Sequence, residues 1–200
     1  MAHQPREVRL KIVFLGDGGV GKTSIARRYL GESFRTDYRA TIGADFYVRK
    51  DTYTFQGLGT FKFHWQIFDL AGQPTFKQVR PIYYQRAKAA IMVFDVSRPE
   101  TFYSIPNWLR EFWTHAGGAY PFILVGNKID LRGHTSCLPP EYGQRYAQTL
   151  SQSLGFQIPY VETSAKTGEN IYKAFEILAY TLIRWIILQR KRRQQQKFHR

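Results

Sequence analysis

The most constraining stretch of this 200-residue chain is Gly16-Asp17-Gly18-Gly19-Val20-Gly21-Lys22-Thr23. It follows the apolar run Leu10–Leu15 and opens the helix-like stretch Lys22–Leu30. A short, nearly continuous apolar run reads as a strand buried on both faces, so the glycines fall at a strand-to-helix turn. Glycines let such a turn curl until successive backbone N–H groups converge. The helix N-terminus adds its positive dipole end at the same point. At this spacing Lys22 can reach the terminal phosphates of a polyphosphate, and the Thr23 hydroxyl can ligate Mg²⁺. An ordinary glycine turn has no need of Lys-Thr there. Gly18, Gly19, Val20, Gly21, Lys22, Thr23 and Ser24 are therefore the candidate phosphate-binding residues.

The rest of the chain alternates strand-like and helix-like segments. Ala89–Asp95, Phe122–Asn127 and Tyr160–Thr163 read as strands. Phe46–Thr54 and Phe61–Phe68 flank Gln56-Gly57-Leu58-Gly59 and read as a hairpin. Helices are predicted at Lys22–Leu30, Thr101–His115, Glu141–Leu154 and Asn170–Arg190. Ser97 and Glu100, with Pro99 between them, read as a capping box before the second helix. Such alternation predicts one doubly wound α/β domain, a six-stranded, mostly parallel sheet with helices on both faces. That domain is expected to span residues 1–189, with 190–200 a basic, disordered tail.

Two further motifs follow strands. Asn127-Lys128-Ile129-Asp130 comes after Phe122–Val125, and Ser164-Ala165-Lys166 after Tyr160–Thr163. Both lie at carboxyl ends of strands, the edge where an open α/β sheet binds its ligand. Asp130 can accept two hydrogen bonds, from the N1–H and exocyclic amine of guanine. Adenine lacks that donor pair and would leave the carboxylate unpaired.

With these motifs in order, the chain resembles the Ras-superfamily small GTPases, and most closely the Rab branch, over residues 9–185. The resemblance implies the small-GTPase P-loop fold, GTP or GDP as ligand, Mg²⁺, and hydrolysis of GTP to GDP and phosphate. It makes Phe34 the aromatic that packs on guanine. It places Tyr38 and Thr41, in the run Tyr38-Arg39-Ala40-Thr41-Ile42-Gly43-Ala44-Asp45-Phe46, in the first switch, with Thr41 meeting Mg²⁺ and the γ-phosphate. Asp69-Leu70-Ala71-Gly72-Gln73 matches the second switch. There Asp69 would hold Mg²⁺ through water, Gly72 would bond the γ-phosphate, and Gln73 would orient the attacking water. The expected catalytic set is Gln73, Lys22 and Thr41. The metal set is Thr23, Thr41 and Asp69. Asn127, Lys128, Asp130, Ser164, Ala165 and Lys166 would form the base site.

The resemblance also implies effector proteins, a GTPase-activating protein and an exchange factor, acting at the switches. Phe46, Phe68 and Tyr83 match aromatics presented to effectors, core packing being the alternative. No arginine finger in cis stands out beyond the first-switch candidates Arg35 and Arg39, so slow hydrolysis is expected, speeded by a partner. Pro74 stands where the family usually has glutamate, which puts the usual exchange mechanism in question. The hairpin and the segment Leu131–Pro140 are longer than the family pattern.

Charge locates a second feature. Lysine and arginine number 29 against 15 acids, a net charge of +14. Seven of the basic residues lie in 184–200, which hold no acid. Beside them, Trp185-Ile186-Ile187-Leu188 is apolar all round. Apolar residues next to a basic cluster can bind an anionic bilayer surface; a longer packed helix or a partner contact are the alternatives. The single Cys137 excludes a disulfide framework and fits a reducing compartment. With no apolar leader pattern at the start, Ala2 where N-myristoylation takes glycine, and no cysteine after Cys137, no secretory leader, myristoyl or prenyl group is expected. A cytoplasmic protein is expected, with peripheral contact at the cytoplasmic membrane face. Nucleic acid is not expected as a partner, since no RNA-binding module or stacking platform is visible. The competing readings are a nucleotide-binding scaffold without turnover, and a GTPase acting on RNA or the ribosome.

Overall fold

The computed structural model describes residues 4–35 and 40–198. Among the described residues six strands are formed: β1 (Arg6–Leu15), β2 (Ala44–Phe55), β3 (Gly59–Leu70), β4 (Ala87–Asp95), β5 (Phe122–Asn127) and β6 (Tyr160–Thr163). They pair in the order β2-β3-β1-β4-β5-β6. Only β2 runs antiparallel to its neighbour. The same residues form six α-helices: α1 (Lys22–Tyr29), α2 (Arg80–Tyr84), α3 (Pro99–Tyr103), α4 (Ile105–Ala116), α5 (Pro140–Leu154) and α6 (Ile171–Phe198).

Side chains alternate between sheet faces. On β1, Ile12 and Phe14 enter one core with Tyr29, Trp65, Phe175 and Leu178, beneath α1 and α6. Val13 and Leu15 enter the other with Phe94, Leu109, Phe112 and Ala147, beneath α3, α4 and α5. A sheet covered on both faces is why β4 and β5 carry almost unbroken apolar runs. β1 extends four residues before the predicted Leu10. There it pairs with β3 alone, since β4 joins only from Lys11 onward. A strand segment with one neighbour is less covered, so Arg6 and Glu7 are exposed and the apolar signal is weak.

The helices depart from expectation in four places, the first being the short α2 (Arg80–Tyr84), which was not expected. The stretch predicted as one helix over Thr101–His115 divides at Ser104 into α3 and α4. Pro106 has no N–H to carry a hydrogen bond across the join. The expected capping box does not form: Arg98 is the residue before α3 and makes no side-chain cap. Ser97 Oγ donates instead to Asp95 Oδ1 at 2.6 Å, and Thr101 Oγ1 to the Arg98 carbonyl at 2.7 Å. Finally, α6 continues to Phe198, so residues 190–198 are helical where a disordered tail was expected. Arginine, lysine and glutamine are good helix formers. Arg192 donates to the Gly155 carbonyl at 3.4 Å, at the C-terminal cap of α5, which suits a cation. Among the described residues, no helix is long and apolar enough to cross a membrane.

Candidate functional site

The carboxyl ends of β1, β3, β5 and β6 open onto a cavity of about 720 Å³. Its lining includes Gly18, Gly19, Gly21, Lys22, Thr23, Ser24, Phe34, Thr41, Gly72, Gln73, Asn127, Lys128, Asp130, Ala165 and Lys166. Val20 and Ser164 are buried and are not among the lining residues. Tyr38 lies outside the described residues, as does Arg39; Arg35 lines the rim.

The loop between β1 and α1 wraps around the Lys22 side chain. Nζ donates to the carbonyls of Gly16 at 2.6 Å and Asp17 at 2.9 Å. Burial lowers its pKa to about 8, against the opposing pull of Asp69 and Asp17. Gly21 has φ +100°, and a Cβ there would lie 2.2 Å from Asn127 Nδ2. That close approach is used: Asn127 Nδ2 donates to the Val20 carbonyl at 2.9 Å. Asn127 Oδ1 accepts from Thr163 Oγ1 at 3.0 Å and from the Ala165 N–H at 3.2 Å. One buried amide thus joins the three loops that carry the phosphate and base motifs.

Gly72 reaches the same loop from β3. A Cβ on it would fall within 2.6 Å of Gly16 O and Gly18 N, so only glycine permits this contact. Gln73 follows, with its Oε1 buried and without a hydrogen-bond partner.

At the other end of the phosphate loop, Thr23 Oγ1 lies 2.8 Å from Thr41 Oγ1 and donates to Asp69 Oδ2. Asp69 is fully buried, and its Oδ1 has no partner. Burial raises its pKa to about 6, with Lys22 and Thr23 opposing. Two hydroxyls and a carboxylate with a spare buried oxygen form an all-oxygen donor set. That chemistry suits a hard divalent cation such as Mg²⁺.

In the base-motif loops, Ser164 Oγ donates to Asp130 Oδ1 at 2.5 Å and so fixes the carboxylate at the cavity wall. Lys128 takes a left-handed φ of 70° and places Nζ 2.7 Å from Asp95 Oδ2.

Three groups were not singled out from the sequence. Asp95 and Arg98 lie beside the phosphate loop, where Arg98 Nη2 donates to the Gly18 carbonyl at 3.0 Å. Asp17 turns away from the cavity and accepts from Ser104 Oγ and Trp108 Nε1, each at 2.7 Å. Arg80 pairs with Glu111 at 2.7 and 2.9 Å and donates to the Gln73 carbonyl at 3.2 Å. Asp95 ends β4 on the edge that carries the other site residues, a position readable from the sequence. Arg80 and Glu111 lie 31 residues apart and give no local signal.

Comparison with known proteins agrees with this geometry. The Ras family profile matches residues 11–184. The chain is 38% identical over 178 residues to Ypt/Rab-type GTPase avaA of Emericella nidulans, covering 87% of this chain and 82% of that protein. It is 37% identical to Ras-related protein Rab7 of Pisum sativum, with the same coverage. It is also 37% identical to Ypt/Rab-type GTPase YPT7 of Saccharomyces cerevisiae, covering 85% of this chain and 79% of that one.

Proposed function

From the premise that the chain belongs to the Ras family, as a Rab-type GTPase, we propose that the cavity at the carboxyl edge of the sheet is its nucleotide site. Proteins of this family are GTP-binding switches that bind GTP and GDP with Mg²⁺, hydrolyse GTP to GDP and phosphate, and act through regulatory partners. The observation that carries the assignment is the joining of the phosphate loop, Asn127 and Ala165 by one buried amide around an open cavity.

The domain is residues 1–189, with the end of α6 an appendage. Lys22 and the N–H groups of Gly18, Gly19, Gly21, Thr23 and Ser24 hold the phosphates. Phe34 packs on the base, and Tyr38 is a further nucleotide-binding residue. Asp130, held by Ser164, reads the guanine edge, with Lys128, Ala165 and Lys166 completing the base site. Thr23 and Thr41 hold Mg²⁺ directly and Asp69 through water; the ion, when bound, neutralises phosphate charge. Gln73 accepts a hydrogen bond from the attacking water through Oε1, the buried atom that lacks a partner. Lys22 and Thr41 stabilise charge on the transferred phosphoryl group. Thr41 and Gly72 contact the γ-phosphate only in the GTP state, so both segments order with GTP and relax with GDP.

Effectors dock on the aromatics Phe46, Phe68 and Tyr83, of which Phe46 is exposed while Phe68 and Tyr83 are half-buried against the core. Phe46 is 54% exposed, its ring lies 4.9 Å from Phe68, and Phe68 lies 6.1 Å from Tyr83. Ile42 and Ile82 add exposed apolar surface. The basic end of α6 contacts anionic membrane at the cytoplasmic face. The charge at the end of α6 supports that contact; the Trp185–Leu188 segment does not, being half-buried against the domain, with the Trp185 ring 5.6 Å from Tyr120 and Ile187 packed on the core.

Nucleotide extracted from the purified protein tests the first assignment. Guanine nucleotide is expected, with phosphate release when GTP and Mg²⁺ are added. Adenine nucleotide would overturn the role of Asp130, and binding without release would favour the scaffold reading.

A further inference from the structure

We propose that Arg98, which lies outside the cavity, is a positioning residue that aims the Gly19 N–H into the phosphate cradle and ties the cradle to the base-reading loop. This rests on the reading of the cavity as the nucleotide site.

The argument begins with one peptide unit. Arg98 Nη2 donates to the Gly18 carbonyl at 3.0 Å. Gly18 and Gly19 line the cavity, and Arg98 does not. The Gly18 carbonyl is therefore held toward the outer side of the loop. A trans peptide is planar, and its C=O and N–H point in opposite directions. Holding the Gly18 oxygen outward turns the Gly19 N–H inward. The peptide joins two glycines, with Gly19 at φ +75°, so no side chain restrains its rotation. An external pin is what such a peptide needs in order to stay a donor. Asn127 does the same one turn of the loop later. It holds the Val20 carbonyl at 2.9 Å and thereby turns the Gly21 N–H.

Arg98 is itself braced. Its Nε donates to Asp95 Oδ2 at 3.0 Å. The Asp95 side chain is 1% exposed, and four donors surround it. Lys128 Nζ lies 2.7 Å from Oδ2, and the Ser97 N–H and Oγ reach Oδ1 at 2.9 and 2.6 Å. Burial pushes the Asp95 carboxyl up, but Lys128 and Ser97 outweigh it and hold its pKa below the ordinary value. The carboxylate is thus an anion at neutral pH, with one cation directed to the phosphate loop and one carried by the base loop. Charge-assisted bonds of this kind are shorter and stronger than neutral ones. The two ligand-binding loops are coupled through Asp95 and Arg98.

The test is the dissociation constant for GDP and for GMP, measured calorimetrically on the nucleotide-depleted protein. GMP lacks the second phosphate that the cradle grips. Arg98→Ala is expected to weaken GDP binding about tenfold, about 1.4 kcal/mol, and GMP binding less than threefold. Arg98→Lys keeps a cation able to reach Asp95 or the Gly18 carbonyl, but not both, and is expected to recover part of the GDP loss. A GDP loss under threefold would overturn the proposal, as would an equal loss for GMP, the mark of general loosening. If Arg98→Ala fails to fold, Arg98→Lys decides alone: it must lose GDP affinity at least threefold more than GMP affinity. Failure of the parent protein to bind GDP would instead refute the reading of the cavity.

Discussion

Glu111→Ala is expected to destabilise the protein by about 3 kcal/mol. In the native structure Glu111 accepts from Arg80 Nε at 2.7 Å, from Arg80 Nη2 at 2.9 Å, and from the Tyr84 hydroxyl at 2.7 Å. The Arg80 and Glu111 side chains are 5% and 15% exposed. Removing the carboxylate leaves a guanidinium packed over Trp108, 4.3 Å from its ring centroid, with only peptide carbonyls as acceptors. Breaking a buried pair by truncating one partner costs roughly 3–5 kcal/mol, and the residual exposure of Glu111 places this case at the low end. For a domain of this size that loss lowers the melting temperature by roughly 6–12 °C. The assay is thermal and urea denaturation by circular dichroism, with GDP and Mg²⁺ at equal saturation, since bound ligand stabilises by mass action. The double variant Arg80→Ala/Glu111→Ala should lose less than the sum of the single variants, because no orphaned charge remains. Burial raises the Glu111 pKa, but Arg80 and Tyr84 outweigh it and hold it below the ordinary value. Its contribution is therefore intact at neutral pH and is lost as pH falls through the lowered pKa. A loss under about 1 kcal/mol, the level of an exposed pair, would refute the reasoning.

Gln73→Leu should slow single-turnover GTP hydrolysis at least tenfold while GTP affinity stays within a few-fold, an order of magnitude set by losing one oriented group; an unchanged rate removes Gln73 from the mechanism. Gly72→Ala places a Cβ against the backbone of Gly16 and Gly18, so the second switch should stay open with GTP bound, readable as loss of GTP-dependent protection from proteolysis. Asp130→Ala should weaken GDP binding at least tenfold, the order expected for losing hydrogen bonds to a charged acceptor, without creating ATP affinity. Flotation with phosphatidylserine liposomes should recover the protein, and neutral liposomes should not; equal recovery, or none from either, would sink the electrostatic contact of α6.

The phosphate loop and the N-K-x-D and S-A-K motifs were legible because each is local: a strand, a turn and a helix start within a dozen residues. β4 and β5 were legible for a related reason, since burial on both faces leaves few polar positions along a strand. What escaped depends on partners distant in sequence. The first turns of β1 look polar because β4 does not reach them. Ser97 resembles a cap until Asp95, two residues earlier, offers its hydroxyl a charged acceptor. Arg98 reads as a solvated loop cation until the fold brings Gly18, 80 residues away, within 3.0 Å. The helical end of α6 was read as disordered from its charge, which says little about backbone conformation when the preceding turns are already nucleated and one arginine finds a helix end to cap.

The β2–β3 ladder is unbroken from Ala44 opposite Leu70 to Phe55 opposite Gly59. It is also nailed down along its length. Asp51 accepts from the Tyr29 hydroxyl of α1, and the Phe55 ring meets Tyr180 of α6 edge-on at 5.3 Å. Mechanically the hairpin is a beam clamped at midspan and tip. A load applied at its nucleotide end cannot be relieved by sliding the strand, because a one-residue slip would turn every side chain to the wrong face. Bending is left to the end beyond the clamp, where Gly43, at φ +75°, precedes Ala44 and accepts the Ala71 N–H at 2.9 Å. On the β2 side, Gly43 is the pivot of the Thr41 segment, and stiffening Gly43 should shorten any movement of that segment without touching the cavity.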